Sequence, residues 1–168
     1  MTSPASASMT AILSRITLAV INGPTGAVDP AESKDSKPWP HVAYTLALSL
    51  DGREFWRGPY KFGVGNFGHT AGALRDPKDQ AKQAASIAAV NPDKYGPTVA
   101  RVLPSLLLDG SAHFDHQSFE DWAGDFGYDP DSRKAKATWK ACDETGRKLA
   151  RAFSASEIEQ LREWTNEQ

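Results

Sequence analysis

The chain has 168 residues, a net charge of −2, a single cysteine and 40% apolar residues. That length suits one domain with a sizeable core, and the near balance of charge gives no global attraction to nucleic acid or lipid. One cysteine excludes an intramolecular disulfide and is compatible with a reducing cytoplasm, and no apolar run approaches the length of a membrane span.

Met1 to Thr10 is small and polar, with no basic region ahead of Ala11-Ile12-Leu13. Residues 1–10 therefore read as a flexible tail rather than a signal peptide. From Met9 to Ile21, Ile12, Leu13, Ile16 and Val20 share a helical face and predict a short amphipathic helix. Its β-branched residues also fit a strand, which would add to any sheet that follows. Asn22-Gly23-Pro24 should end either element. Residues 22–40 then read as a loop, in which Trp39 between two prolines is placed to dock on the body.

His41 to Leu50 alternates Val42, Tyr44, Leu46 and Leu48 with smaller residues. Asp51-Gly52 supplies the two positive φ values of a type I′ turn, and Arg53 to Phe62 returns as a second strand. Gly58-Pro59 suggests an edge position or a bulge. A lone hairpin is marginal in water, so helices must cover its apolar face.

Residues 63–96 form a Gly/Ala-rich stretch. Gly63-Val-Gly-Asn-Phe-Gly68 formally matches a dinucleotide-binding pattern. That site needs a parallel strand before it and a helix after it, whereas here the pattern follows a hairpin, so a turn is expected. Asp76-Pro77 should start a helix that ends at Asn91-Pro92.

Residues 97–168 are predicted helical. Val99, Val102, Leu103, Leu106 and Leu107 form an apolar face, with Pro97 in the first turn and Pro104 as a kink or restart. Ser118 and Asp121 resemble a capping box for a short helix carrying Phe119, Trp122 and Phe126 inward, ended by Gly127. Asp129-Pro130 should open a long helix whose seam is Ala135, Trp139, Cys142, Gly146, Leu149 and Phe153. Ser154 and Glu157 form a second capping box, followed by Ile158, Leu161 and Trp164. The fold class expected is α+β: an antiparallel hairpin, extended to three strands if the N-terminal segment joins it, against three or four C-terminal helices.

No catalytic set, cofactor motif or small-molecule substrate is legible. His113, Asp115 and His116 offer metal-ligating atoms, but their spacing matches no closed zinc pattern and they are expected in a loop. Cys142 lies in the apolar seam and reads as inert core. The charge pattern says more. Asp109 to Ser132 holds seven acidic residues and no Lys or Arg, and Arg133, Lys134, Lys136 and Lys140 follow at once. Such a segment either pairs its charges locally or docks on a basic surface.

Phe119-Glu-Asp-Trp122, Phe126-Gly-Tyr-Asp129, Asp131-Ser-Arg-Lys-Ala135, Trp139-Lys-Ala-Cys142 and Arg147-Lys-Leu149 resemble a small protein of unknown function found widely in tailed bacteriophages and prophages. The preceding leucine-rich helix ending at Asp109 and the aromatic hairpin from Val42 to Gly65 fit the same layout, and Gly68 to Gly96 resembles an insertion in it. The resemblance implies a phage accessory protein in the cytoplasm of the host bacterium, and together with the acidic Asp109–Asp131 face it leads to the expectation of a protein that binds and inhibits a host protein or protein–nucleic-acid complex, most sharply as an anti-CRISPR inhibitor. Its contact residues would be Glu120, Asp121, Trp122, Asp125, Tyr128 and Asp131, meeting a basic surface. The alternative is an auxiliary nucleic-acid-binding protein of phage replication, using Arg133, Lys134, Lys136 and Lys140 with Trp56 and Tyr60 as exposed aromatics.

Overall fold

A computed structural model describes residues 4–67, 73–116 and 118–167. The fold is α+β. Helix α1 (Pro4–Ser14) leads into three strands, β1 (Ile16–Asp29), β2 (Trp39–Leu50) and β3 (Arg53–Gly63), which form one antiparallel sheet in the order β1-β2-β3. A single 3₁₀ turn (Val64–Phe67) follows, then α2 (Pro77–Val90), the short α3 (Pro92–Tyr95), α4 (Val99–Phe114), α5 (Phe119–Phe126), α6 (Arg133–Ala152) and α7 (Ala155–Asn166). No helix among the described residues is long and apolar enough to cross a membrane.

The chain gathers into two compact units, and the strands belong in part to each. One unit comprises Met1–Thr17, Leu48–Trp56 and Val99–Gln168; the other comprises Leu18–Ala47 and Arg57–Thr98.

In the second unit, β2 buries Val42, Tyr44 and Leu46 as its alternation requires. Tyr44, Phe62, Phe67 and Tyr95 stack in succession, with ring centroids 5.8, 5.5 and 4.8 Å apart. Trp39 opens β2 and stacks on the buried His41 at 4.6 Å. Helix α2 begins where the sequence places it: Asp76 accepts a hydrogen bond from Lys78 N, and Pro77 occupies the first turn. It buries only alanines, Ala81, Ala84, Ala85 and Ala88. The reason is close approach, since a Cβ on Gly26 of β1 would lie 2.6 Å from the Ala81 carbonyl. The formal glycine pattern resolves into the end of β3 and the 3₁₀ turn, with Gly68 outside the described residues.

Several boundaries depart from the sequence reading. The residues given to a tail are helical from Pro4 onward, and Met9 is buried. Ile16 and Val20 belong to β1, not to a helix. That strand continues through Asn22-Gly23-Pro24 to Asp29, so only residues 30–38 form the loop. A paired neighbour supplies the hydrogen bonds that outweigh local breaker signals, and Gly23 takes φ +107° where a Cβ would strike the Ala43 carbonyl at 2.6 Å. Helix α4 starts two residues after Pro97 and runs through both Pro104 and Gly110 to Phe114, so His113 is helical rather than in a loop.

In the first unit, the β2–β3 turn has Asp51 at φ +52° and Gly52 at φ +83°, as a type I′ turn requires. Asp51 is also clamped. Arg15 Nε donates to its Oδ1 at 3.0 Å, Arg15 Nη2 donates to its Oδ2 at 2.6 Å, and Asp51 N donates to the Arg15 carbonyl at 3.0 Å. The guanidinium hydrogen bonds hold the Asp51 carboxyl below its ordinary value. A depressed folded value stabilises the fold above the unfolded carboxylate range, and that contribution disappears as pH falls through the folded value. Thermal melts from about pH 7 down to about pH 3 should therefore show an acid-side loss of stability that is smaller in Asp51→Asn, since asparagine tolerates the left-handed turn but does not ionise. Equal acid limbs in the two proteins would remove the clamp from the fold's pH dependence.

Helices α4, α6 and α7 bury Val102, Leu103, Leu106, Leu107, Leu149, Phe153, Ile158 and Leu161. Of the expected α6 seam, Ala135, Gly146 and Leu149 are buried, Trp139 and Cys142 are partly buried and Phe153 lies just past the helix as its cap, and the Ser154–Glu157 capping box is complete in both directions. Helix α4 crosses α6 at two glycines, where a Cβ on Gly146 would lie 2.5 Å from His113 Cβ and 2.7 Å from the Gly110 carbonyl.

Candidate functional site

Helix α5 and the turn after it carry the acidic and aromatic residues. Ser118 caps α5 by accepting from Asp121 N at 3.2 Å, and Gly127 ends it in the left-handed region at φ +73°. That geometry returns the chain so that Tyr128 N donates to the Ala123 carbonyl at 2.9 Å. Phe119 and Trp122 are buried with Ala112, Ala123 and Ala135, and Trp139 and Cys142 pack against the cluster. The Tyr128 ring lies flat on Trp122, with centroids 4.9 Å apart and planes 10° from parallel.

Phe126 differs from expectation. It is 51% exposed rather than buried with Trp122, because it is the last helical residue and Tyr128 covers the indole face instead. Trp122, a predicted contact residue, is 4% exposed and supports the surface from beneath. Glu120, Asp121, Asp125, Tyr128 and Asp131 are exposed, as is Asp129. The result is two outward aromatics, Phe126 and Tyr128, among five carboxylates.

Sequence reasoning missed the role of His116. Its Nδ1 lies 3.0 Å from Asp121 Oδ2 and 3.6 Å from Asp125 Oδ2, and its ring meets Phe126 edge-on at 5.9 Å. The side chain is 8% exposed. The i, i+4 spacing of Asp121 and Asp125 was a legible signal for their shared face, but the loop before α5 hid the histidine's approach. With its proton on Nδ1, His116 donates to Asp121 and ties that loop to the helix. The three groups also present ligand atoms within 4.8 Å of one another. Their number and donor types are compatible with a divalent transition metal.

The metal set considered from sequence does not converge. His113 faces Asp143 at 3.4 Å, Asp115 accepts both guanidinium nitrogens of Arg162, and only His116 turns toward α5. The Cys142 thiol is pushed up to about 11 by burial and by the nearby Asp109 charge, so it is protonated at neutral pH and a poor nucleophile.

The long helix begins three residues later than Asp129-Pro130 suggests. Asp129 instead holds a turn, its Oδ1 accepting from Asp131 N at 2.9 Å, and Ser132 is the cap, accepting from Ala135 N at 3.2 Å. Arg133, Lys134, Lys136 and Lys140 are exposed along the start of α6. Trp56, expected to be an exposed stacking platform, is 6% exposed and belongs to the core, while Tyr60 is half-buried.

No family model matches the chain, and no curated protein or solved structure matches it either.

Proposed function

We propose that this chain is a binding protein that docks the α5 face on a basic surface of a host component and thereby inhibits it. The reading rests on one observation: Phe126 and Tyr128 stand 51% and 44% exposed within a patch whose charged groups, Glu120, Asp121, Asp125, Asp129 and Asp131, are all acidic. Exposed aromatics supply contact area at low entropic cost, and a single-signed rim steers association and selects the partner. The phage-like motif covers this same surface. In its sharpest form the target is a CRISPR effector or a related defence complex, whose nucleic-acid-binding surfaces are basic.

Expression of the chain should then restore phage plaquing on bacteria that carry active CRISPR immunity. Glu120→Lys/Asp131→Lys, on the same face but away from the His116 contact, should abolish that effect while leaving the circular-dichroism melt close to wild type. Unchanged plaquing with the wild-type chain across several CRISPR types would defeat the anti-CRISPR form. A variant that melts early would assign the carboxylates to the fold. Binding of the purified chain to single- or double-stranded nucleic acid at low salt, declining steeply as salt is added, would select the nucleic-acid reading through Arg133, Lys134, Lys136 and Lys140 instead.

A further inference from the structure

The first unit contains a cleft of about 630 Å³ on which neither the acidic face nor the basic stripe draws. Its walls come from three distant parts of the chain: Arg15 after α1, the hairpin from Leu50 to Phe55, and Lys148, Arg151 and Ala152 near the end of α6. Leu50, Phe55 and Ala152 give it an apolar lining, and Phe55 is held edge-on against Phe153 at 5.3 Å. The volume lies within the range of roughly 300–1,000 Å³ typical of small-molecule sites.

The charges around this cleft are unevenly matched. Arg15 and Asp51 neutralise each other through their bidentate pair, and Arg15 reaches Glu157 at 3.5 Å as well. Arg53, Lys148 and Arg151 remain against the single carboxylate of Glu54. Among the described residues Arg53 and Lys148 make no ion pair, and Arg151 approaches Glu144 only at 3.9 Å. Arg151, in the last turn of α6, also offsets the helix dipole, which is reason enough for that residue but not for Lys148 a turn earlier. It gives no reason for Arg53, which comes from the hairpin.

We propose that the cleft binds a small organic phosphate of nucleotide type, its phosphates held by Arg53, Lys148 and Arg151 and its less polar part against Leu50, Phe55 and Ala152. Guanidinium and ammonium donors on separate walls match a multiply charged, branched anion better than a single carboxylate. The apolar lining distinguishes an organic ligand from the inorganic ion.

Isothermal titration of the full chain with ADP and, separately, with inorganic pyrophosphate tests this. ADP should bind with a dissociation constant below about 0.1 mM, and pyrophosphate several-fold more weakly. Lys148→Ala/Arg151→Ala should weaken ADP by about tenfold or more, the expected loss of one or two charge-assisted hydrogen bonds. Arg53→Ala, on the opposite wall, should do the same should the α6 variant prove unstable. Absence of ADP binding below about 1 mM overturns the proposal. Equal affinity for the two probes, or unchanged affinity in both variants, overturns it too.

Discussion

Trp122→Ala is expected to lower the unfolding free energy by about 3–5 kcal/mol, the cost of truncating a buried tryptophan. The indole is 4% exposed, packs on Phe119 at 6.2 Å and carries the Tyr128 ring on its face. Domains of this kind have a total stability of about 5–15 kcal/mol, so urea unfolding should show a large fraction of it gone. The melting temperature should fall by roughly 6–20 °C. A loss under about 1 kcal/mol would mean that α5 is not anchored through this residue. The consequence for function is direct. Trp122→Ala cannot report on partner binding, because it removes the platform along with any contact. Phe126→Ala, at the exposed end of α5, removes an outward ring and gives up only its side contacts with Trp122 at 5.6 Å and His116 at 5.9 Å, leaving the Trp122 platform in place. It is therefore the variant whose loss of inhibition, with an unchanged melt, would locate an interface.

The second large effect concerns a single methyl group. Gly146→Ala should destabilise the protein by about 1–3 kcal/mol, the usual cost of overpacking. Helix propensity alone favours alanine over glycine by roughly 0.8–1 kcal/mol, so the sign of the outcome tests the packing. The new Cβ would lie 2.5 Å from His113 Cβ and 2.7 Å from the Gly110 carbonyl, and neither can rotate away. Helices α4 and α6 would have to separate. Gly124→Ala is the matched control, since a Cβ there meets nothing within 4 Å. It should stabilise the protein by about 0.5–1 kcal/mol. Paired melts showing both substitutions stabilising would refute the close crossing.

Much of the helical half was legible because its signals are local. Capping by Ser118 and by Ser154 with Glu157 acts over three residues, and the left-handed stop at Gly127 over one. Asp76-Pro77 opened α2 where expected for the same reason. The misreading at Asp129-Pro130 shows the limit of that logic. Two residues in the same turn, Asp129 and Ser132, each fit a helix cap, and the carboxylate closed the turn while the serine took the helix. The candidate site was legible in its residues but not in its layers. Periodicity put Phe126 beside Trp122, where its ring lies at 5.6 Å, yet the reversal at Gly127 laid Tyr128 flat on the indole and left Phe126 half-exposed.

The hairpin turn at Asp51-Gly52, the alternating burial of β2 and the starts of α2, α5 and α7 follow from the sequence alone. Each depends on interactions within a few residues or on a simple period. The course of β1 through Gly23-Pro24 came from packing, because the pairing partner that sustains it lies in β2. The same holds for the groupings of Arg15 with Asp51 and of Arg15 and Arg53 with Lys148 and Arg151. Those groupings depend on where whole elements pack, and no spacing along the chain encodes them.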